Sequence, residues 1–221
     1  MLKKIALSLV VIGSALALLC TPSFADTVYD LNLGNSALSG FTGPFGSVDV
    51  NLSSSTMATI TFTSNTVGGN IYLFGDGGTA GVNVNATSWT LGSITGSNAG
   101  TGFTSGGPFT DGGAGNEDGF GSFNQTINTF DGFTHSSDTI SFTLTNTSGT
   151  WADSSSVLTA NASGQSVAAH IFVTSSPADA SNGAQVTGFA STGTPTSTPE
   201  PASLILLTSG LIGVPFFRRR K

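Results

Sequence analysis

The sequence predicts an all-β protein, an antiparallel β-sandwich of jelly-roll-like kind. Three observations carry this. Apolar and polar residues alternate at period two in one segment after another. Thr, Val, Ile and Phe fill those segments, and all four suit a pleated, half-buried surface. Clusters of Gly, Asn and Asp break the segments apart at short spacing, and stretches of helical composition are few. An up-and-down barrel or a β-helix is the alternative architecture, but no fixed-period repeat supports a solenoid.

Taken in order, the segments are these. Val28, Asp30 and Asn32 interleave with Tyr29, Leu31 and Leu33, and Val48 and Val50 alternate with Asp49 and Asn51. Ala58, Ile60 and Phe62 share one face, with Thr59, Thr61 and Thr63 on the other. Ile140, Phe142 and Leu144 repeat that pattern against Ser141, Thr143 and Thr145. Val167, Ala169, Ile171 and Val173 form another apolar row, which turns His170 to the opposite face beside Phe172. Shorter candidates are Ile71–Phe74, Val82–Val84, Ser88–Ile94, Phe120–Ile127 and Gln185–Phe189, giving about ten short strands. The Gly- and Ser-rich stretch Thr95–Gly119 reads as one or two surface loops, and Asp76-Gly77-Gly78 as a hairpin turn.

Segments for targeting flank this domain. Lys3 and Lys4 precede the apolar run Ile5–Leu19, and Ser23-Phe24-Ala25 is a small-x-small site, so residues 1–25 read as a signal peptide cut by signal peptidase. Leu19 before Cys20 is not small, which argues against lipidation, and cleavage after Ala25 leaves no cysteine for disulfides or thiolate chemistry. The β-domain then spans residues 26–190, and residues 191–198, Ser-Thr-Gly-Thr-Pro-Thr-Ser-Thr, form a flexible linker.

All six Lys and Arg lie at positions 3, 4 and 218–221, whereas eleven Asp and Glu lie between Asp26 and Thr198. Nucleic-acid binding needs cations that displace counterions, and the domain has none to offer. Schiff-base chemistry and Arg clamps on phosphate are excluded for the same reason.

Few residues suggest chemistry. Asp111, Asn116, Glu117 and Asp118 place hard oxygens in a glycine-rich stretch, the best calcium candidate. Gly112–Glu117 approximates one calcium β-roll repeat, a motif that works in tandem copies. Zinc would need both His135 and His170, together with carboxylates brought in by the fold. No Gly-x-Ser-x-Gly elbow occurs. Glycoside hydrolysis would pair Glu117 with Asp118, Asp131 or Asp138, and no spacing selects one. Trp89, Trp151, Tyr29 and Tyr72 are the rings that could stack on sugars; Trp89 reads as core and Trp151 as the better surface candidate. The Asn-x-Ser/Thr sequons follow from composition.

The C-terminus is the most specific feature. Pro199, Glu200 and Pro201 make an extended tripeptide. The 16 apolar residues 202–217 follow, about 24 Å as a helix against a bilayer core of about 30 Å. Arg218, Arg219, Arg220 and Lys221 then form a cytoplasmic stop. This arrangement over residues 199–221 closely resembles the PEP-CTERM sorting signal of Gram-negative bacteria. Thr198, where that family usually has Val, is a mild departure. The resemblance implies processing by exosortase, a membrane transpeptidase-like enzyme, and a link to exopolysaccharide and biofilm. The expected precursor is a hairpin in the inner membrane with its β-domain in the periplasm. The expected product is a non-catalytic surface or extracellular-matrix protein. A carbohydrate-binding module that uses calcium is the alternative, and a secreted hydrolase stands behind both.

Overall fold

The computed structural model describes residues 25–104, 107–129, 132–192 and 196–197. Residues 1–24, the tripeptide Pro199-Glu200-Pro201, the apolar run 202–217 and the basic tail 218–221 lie outside the described residues.

The chain alternates between two sheets. In order, the strands are β1 (Thr27–Asp30), β2 (Leu33–Gly34), β3 (Gly46–Ser54), β4 (Met57–Ser64), β5 (Thr66–Val67), β6 (Asn70–Phe74) and β7 (Ala80–Val82). They continue as β8 (Trp89–Ser97), β9 (Thr110–Glu117), β10 (Gly121–Asn128), β11 (Thr139–Asn146), β12 (Val167–Ser175), β13 (Val186–Ser191) and β14 (Thr196–Ser197). The first sheet runs β14-β1-β3-β4-β11-β8 and the second β2-β13-β12-β7-β10-β9. A second short strand pair, β5–β6, joins β12 beside β7. All pairings between these strands are antiparallel.

The period-two pattern does what it predicts. Val48, Val50 and Leu52 of β3, Ala58, Ile60 and Phe62 of β4, and Ile140, Phe142 and Leu144 of β11 are buried on one face. Their registers align them across the sheet: Val48 opposite Phe62 opposite Ile140, then Val50 opposite Ile60 opposite Phe142. From the facing sheet, Tyr72, Phe74, Ala80, Val82, Val167, Ala169, Ile171 and Val173 complete one core. Each large side chain sealed there contributes about 1.5–3 kcal/mol of transfer free energy.

Two elements depart from expectation. The predicted loop Thr95–Gly119 contains the end of β8 and all of β9. Its glycines carry no side-chain alternation, so a strand held by backbone pairing alone leaves no periodic signal. The predicted flexible linker contributes β14, which pairs with β1.

The second sheet also carries an apolar layer on its outer face. Phe120, Phe123 and Ala168 are buried there with Phe189 packed on them. The layer continues as a row of rings. His170 stacks on Phe189 at 4.4 Å, Phe172 follows at 5.4 Å, then Phe133 at 5.7 Å and Phe103 at 5.0 Å. That is why β12, Val-Ala-Ala-His-Ile-Phe-Val, is apolar on both faces.

Candidate functional site

A concavity lies where β11 ends. Asn146 closes that strand, and residues 147–150 turn back to Trp151. An open groove of about 590 Å³ forms there, lined by Asn85, Thr87, Asn146, Ser148, Gly149 and Trp151, among others. Its polar groups are amides and hydroxyls, and no carboxyl group or histidine lines it. Part of that inventory is used internally. Asn85 Nδ2 donates to the Ser156 carbonyl at 2.9 Å, and Asn146 Oδ1 accepts from the Ser148 backbone N–H at 3.0 Å.

Trp151 departs from the surface role the sequence suggests, whereas Trp89 packs against the core as expected. Trp151 is only 3% exposed. Its backbone N–H donates to the Ser55 carbonyl at 2.7 Å and its indole N–H to the Asn85 carbonyl at 2.8 Å. It is therefore the floor of the groove and cannot offer a ring face as a stacking platform. Trp89 is half-buried and donates its indole N–H to Gln125 Oε1 at 2.9 Å. Tyr29 and Tyr72 are both buried, and the Tyr72 hydroxyl donates to the Thr42 carbonyl at 2.8 Å.

The calcium set does not assemble. Asp111 and Glu117 stand near opposite ends of β9, six residues and about 20 Å apart at the rise of an extended strand. Asp111 Oδ1 accepts from the Gly113 N–H at 2.8 Å and from Gln125 Nε2 at 2.7 Å. Asn116 pairs with Ser122 across the ladder, and Asp118 Oδ2, on the surface, accepts from Asn35 Nδ2 at 3.1 Å. Among the described residues no group of three or more His, Cys, Asp or Glu converges in a way that would hold a metal. The expectation of a wrapping loop is thus corrected to an extended strand that holds its oxygens apart.

Glu117 is a different case. It is 0% exposed, and neither carboxylate oxygen has a hydrogen-bond partner among the described residues. The side chain lies over two glycines, one in the turn before β7 and one in β7 itself: a Cβ on Gly78 would stand 2.8 Å from Oε1, and one on Gly81 3.1 Å from it. Gly78 also has φ +64°, so glycine there serves both the backbone and the space. Desolvation raises the Glu117 carboxyl from its ordinary 4.5 to about 8. The sequence offers Glu117 as a calcium ligand or a hydrolase carboxyl, and neither role places it in a buried site. The available signal is that Phe120 and Phe123 follow it closely, as they would at a buried edge.

Among the described residues the two histidines are not part of any group of three or more His, Cys, Asp or Glu that could hold a metal. His170 lies in the outer aromatic layer and contacts Thr187 Oγ1 through Nε2 at 2.5 Å, while its buried Nδ1 has no partner among the described residues. Burial holds its imidazole below the ordinary range, with the Asp76 charge and backbone carbonyls of Gly75 and Gly77 acting the other way. His135 ends the short 3-10 turn Phe133–His135, with Nδ1 3.3 Å from Thr134 Oγ1.

The C-terminal segment is decided by comparison. Residues 197–221 match the family of the PEP-CTERM protein-sorting motif. The chain carries a PEP-CTERM sorting signal. It is thereby an exosortase-targeted protein, made as a membrane-anchored precursor and exported to the cell surface. No curated protein and no solved structure matches the chain. The β-sandwich ahead of the motif therefore has to be read from its own geometry.

Proposed function

We propose that the exported β-sandwich is a non-catalytic surface or extracellular-matrix protein that associates with exopolysaccharide by binding it. The observation that carries this is the groove over Trp151. Its amides and hydroxyls suit the hydroxyl groups of a neutral sugar, and the absence of lining carboxyl groups leaves no acid–base pair for glycoside hydrolysis. Domain composition agrees, since a surface without Lys or Arg offers an anionic polymer nothing to pair with. In this reading signal peptidase removes residues 1–25 and exosortase acts near Pro199-Glu200-Pro201. Biofilm matrix is then the destination, and calcium has no part in binding.

The test uses the exported protein and its Gly149→Trp variant. The space around Gly149 is open, with only the Asn146 side chain near 3.9 Å, so a large side chain there fills the groove without crowding the core. Co-sedimentation with the producing cell's exopolysaccharide is expected to saturate for the native protein, to be unaffected by a chelator, and to be lost in the variant at unchanged thermal stability. Equal binding by both proteins would remove the groove from the account. No binding by either would remove the glycan and leave a structural coat protein.

A further inference from the structure

The last described strand has a position that the sorting motif alone does not explain. β14 pairs with β1 at the edge of the first sheet, Val28 opposite Thr196 and Thr27 opposite Ser197. The matched sorting motif begins at Ser197, the second residue of that strand. β1 is the first strand after the leader, and its start is fixed independently. Thr27 is buried, its Oγ1 lies 2.7 Å from Ser154 Oγ, and Ser154 Oγ also donates to the Ala25 carbonyl. The domain therefore grips both of its membrane-directed ends at one corner, and the flank of the sorting motif is one rung of a β-ladder.

We infer that β14 is a folding-dependent strap on the sorting signal, whose pairing with β1 must open before exosortase can process the chain. The reasoning is mechanical. An enzyme that cleaves a peptide must draw an extended segment into its site, and a residue hydrogen-bonded into a sheet has its backbone groups already committed. β14 is short, has a partner on one side only among the described residues, and ends two residues before Pro199, which cannot donate to a ladder. An edge of two residue pairs opens locally without unfolding the sandwich. The strap is therefore weak enough to yield and strong enough to slow processing of a precursor whose domain is already folded. The inference rests on the exosortase-targeted reading of the motif.

Cysteine chemistry tests it cleanly, because Cys20 is the chain's single cysteine. In a Cys20→Ser background, Val28→Cys and Thr196→Cys place two thiols at directly opposed positions, within reach of a disulfide. Neither position belongs to the matched motif. The full-length precursor is presented to membranes bearing exosortase, oxidised and then reduced, and C-terminal cleavage is followed by mass. The oxidised precursor is expected to be processed at least about tenfold more slowly than the reduced one, the scale on which locking a short ladder suppresses its open fraction. Reductant is expected to restore the rate of the unsubstituted precursor. Failure of the disulfide to form would show that the ends are not paired. A disulfide that leaves the rate unchanged, or raises it, would overturn the strap. If the unsubstituted precursor itself is not processed, the exosortase reading fails first and takes this inference with it.

Discussion

At the scale of single residues, Glu117 sets the pH dependence of this fold. An acid with a folded pKa above its unfolded one holds its proton more tightly in the native state. The stability it supports is then present at low pH and is lost as pH rises between the two values. For Glu117 that window runs from 4.5 to about 8. Unfolding of the wild type is expected to become easier by on the order of 4 kcal/mol between pH 5 and pH 9 than unfolding of Glu117→Gln, whose amide does not titrate in this range. Urea denaturation midpoints at each pH would show it. His170 works in the opposite sense and at the acid end, because its lowered pKa removes stability as pH falls below the ordinary 6.5. The difference between wild type and Glu117→Gln isolates the carboxyl from it. Parallel profiles for the two proteins would mean that a cation or a donor reaches Glu117, which would reopen the metal question at that one residue.

At the scale of elements, β9 shows which strands announce themselves. β3, β4, β11 and β12 are legible because alternate side chains enter a core, so burial itself writes the period into the sequence. β9, Thr-Asp-Gly-Gly-Ala-Gly-Asn-Glu, is placed by its backbone ladder to β10, with shifts in register at Phe123/Thr126 and Thr126/Ile127. Nothing in its side chains requires that ladder, and its acids resemble a cation loop until extension separates them. Trp151 departs from its surface reading for a related reason. Trp151 is held by Ser55 and Asn85, partners far away along the chain that only the tertiary fold reveals. The strand reading of Asp111 makes its own prediction. Its carboxylate ties the start of β9 to Gln125, so Asp111→Ala is expected to cost about 1–2 kcal/mol through a lost charge-assisted hydrogen bond. The loss in melting temperature is expected to be the same in calcium and in chelator. A loss that appears in calcium alone would restore the residue to a metal site.

At the scale of the whole molecule, the domain is a polyanion closed at one corner. Eleven carboxyl groups and no Lys or Arg lie between Asp26 and Thr198, so the folded state has no internal cation against which to balance them. The repulsion is visible locally. Burial and the neighbouring charge of Asp26 together raise Asp49, one strand away from the corner where β1 and β14 join. Compacting like charges opposes folding, and the Debye length shortens from about 10 Å at 0.1 M salt toward about 3 Å at 1 M. The exported protein is therefore expected to melt at a higher temperature in about 0.5 M than in about 0.05 M sodium chloride, with most of the gain reached once the screening length falls below the spacing of neighbouring carboxylates. Sodium chloride is the right probe because it screens without binding strongly to carboxylates. If calcium at equal ionic strength raised the melting temperature further, specific neutralisation of carboxyl groups would be acting as well. A melting temperature that does not change with salt would mean that the acids are spaced widely enough for solvent alone to tolerate them. The cation-free composition would then serve the exterior to which the sorting signal sends the protein, and not the stability of the fold.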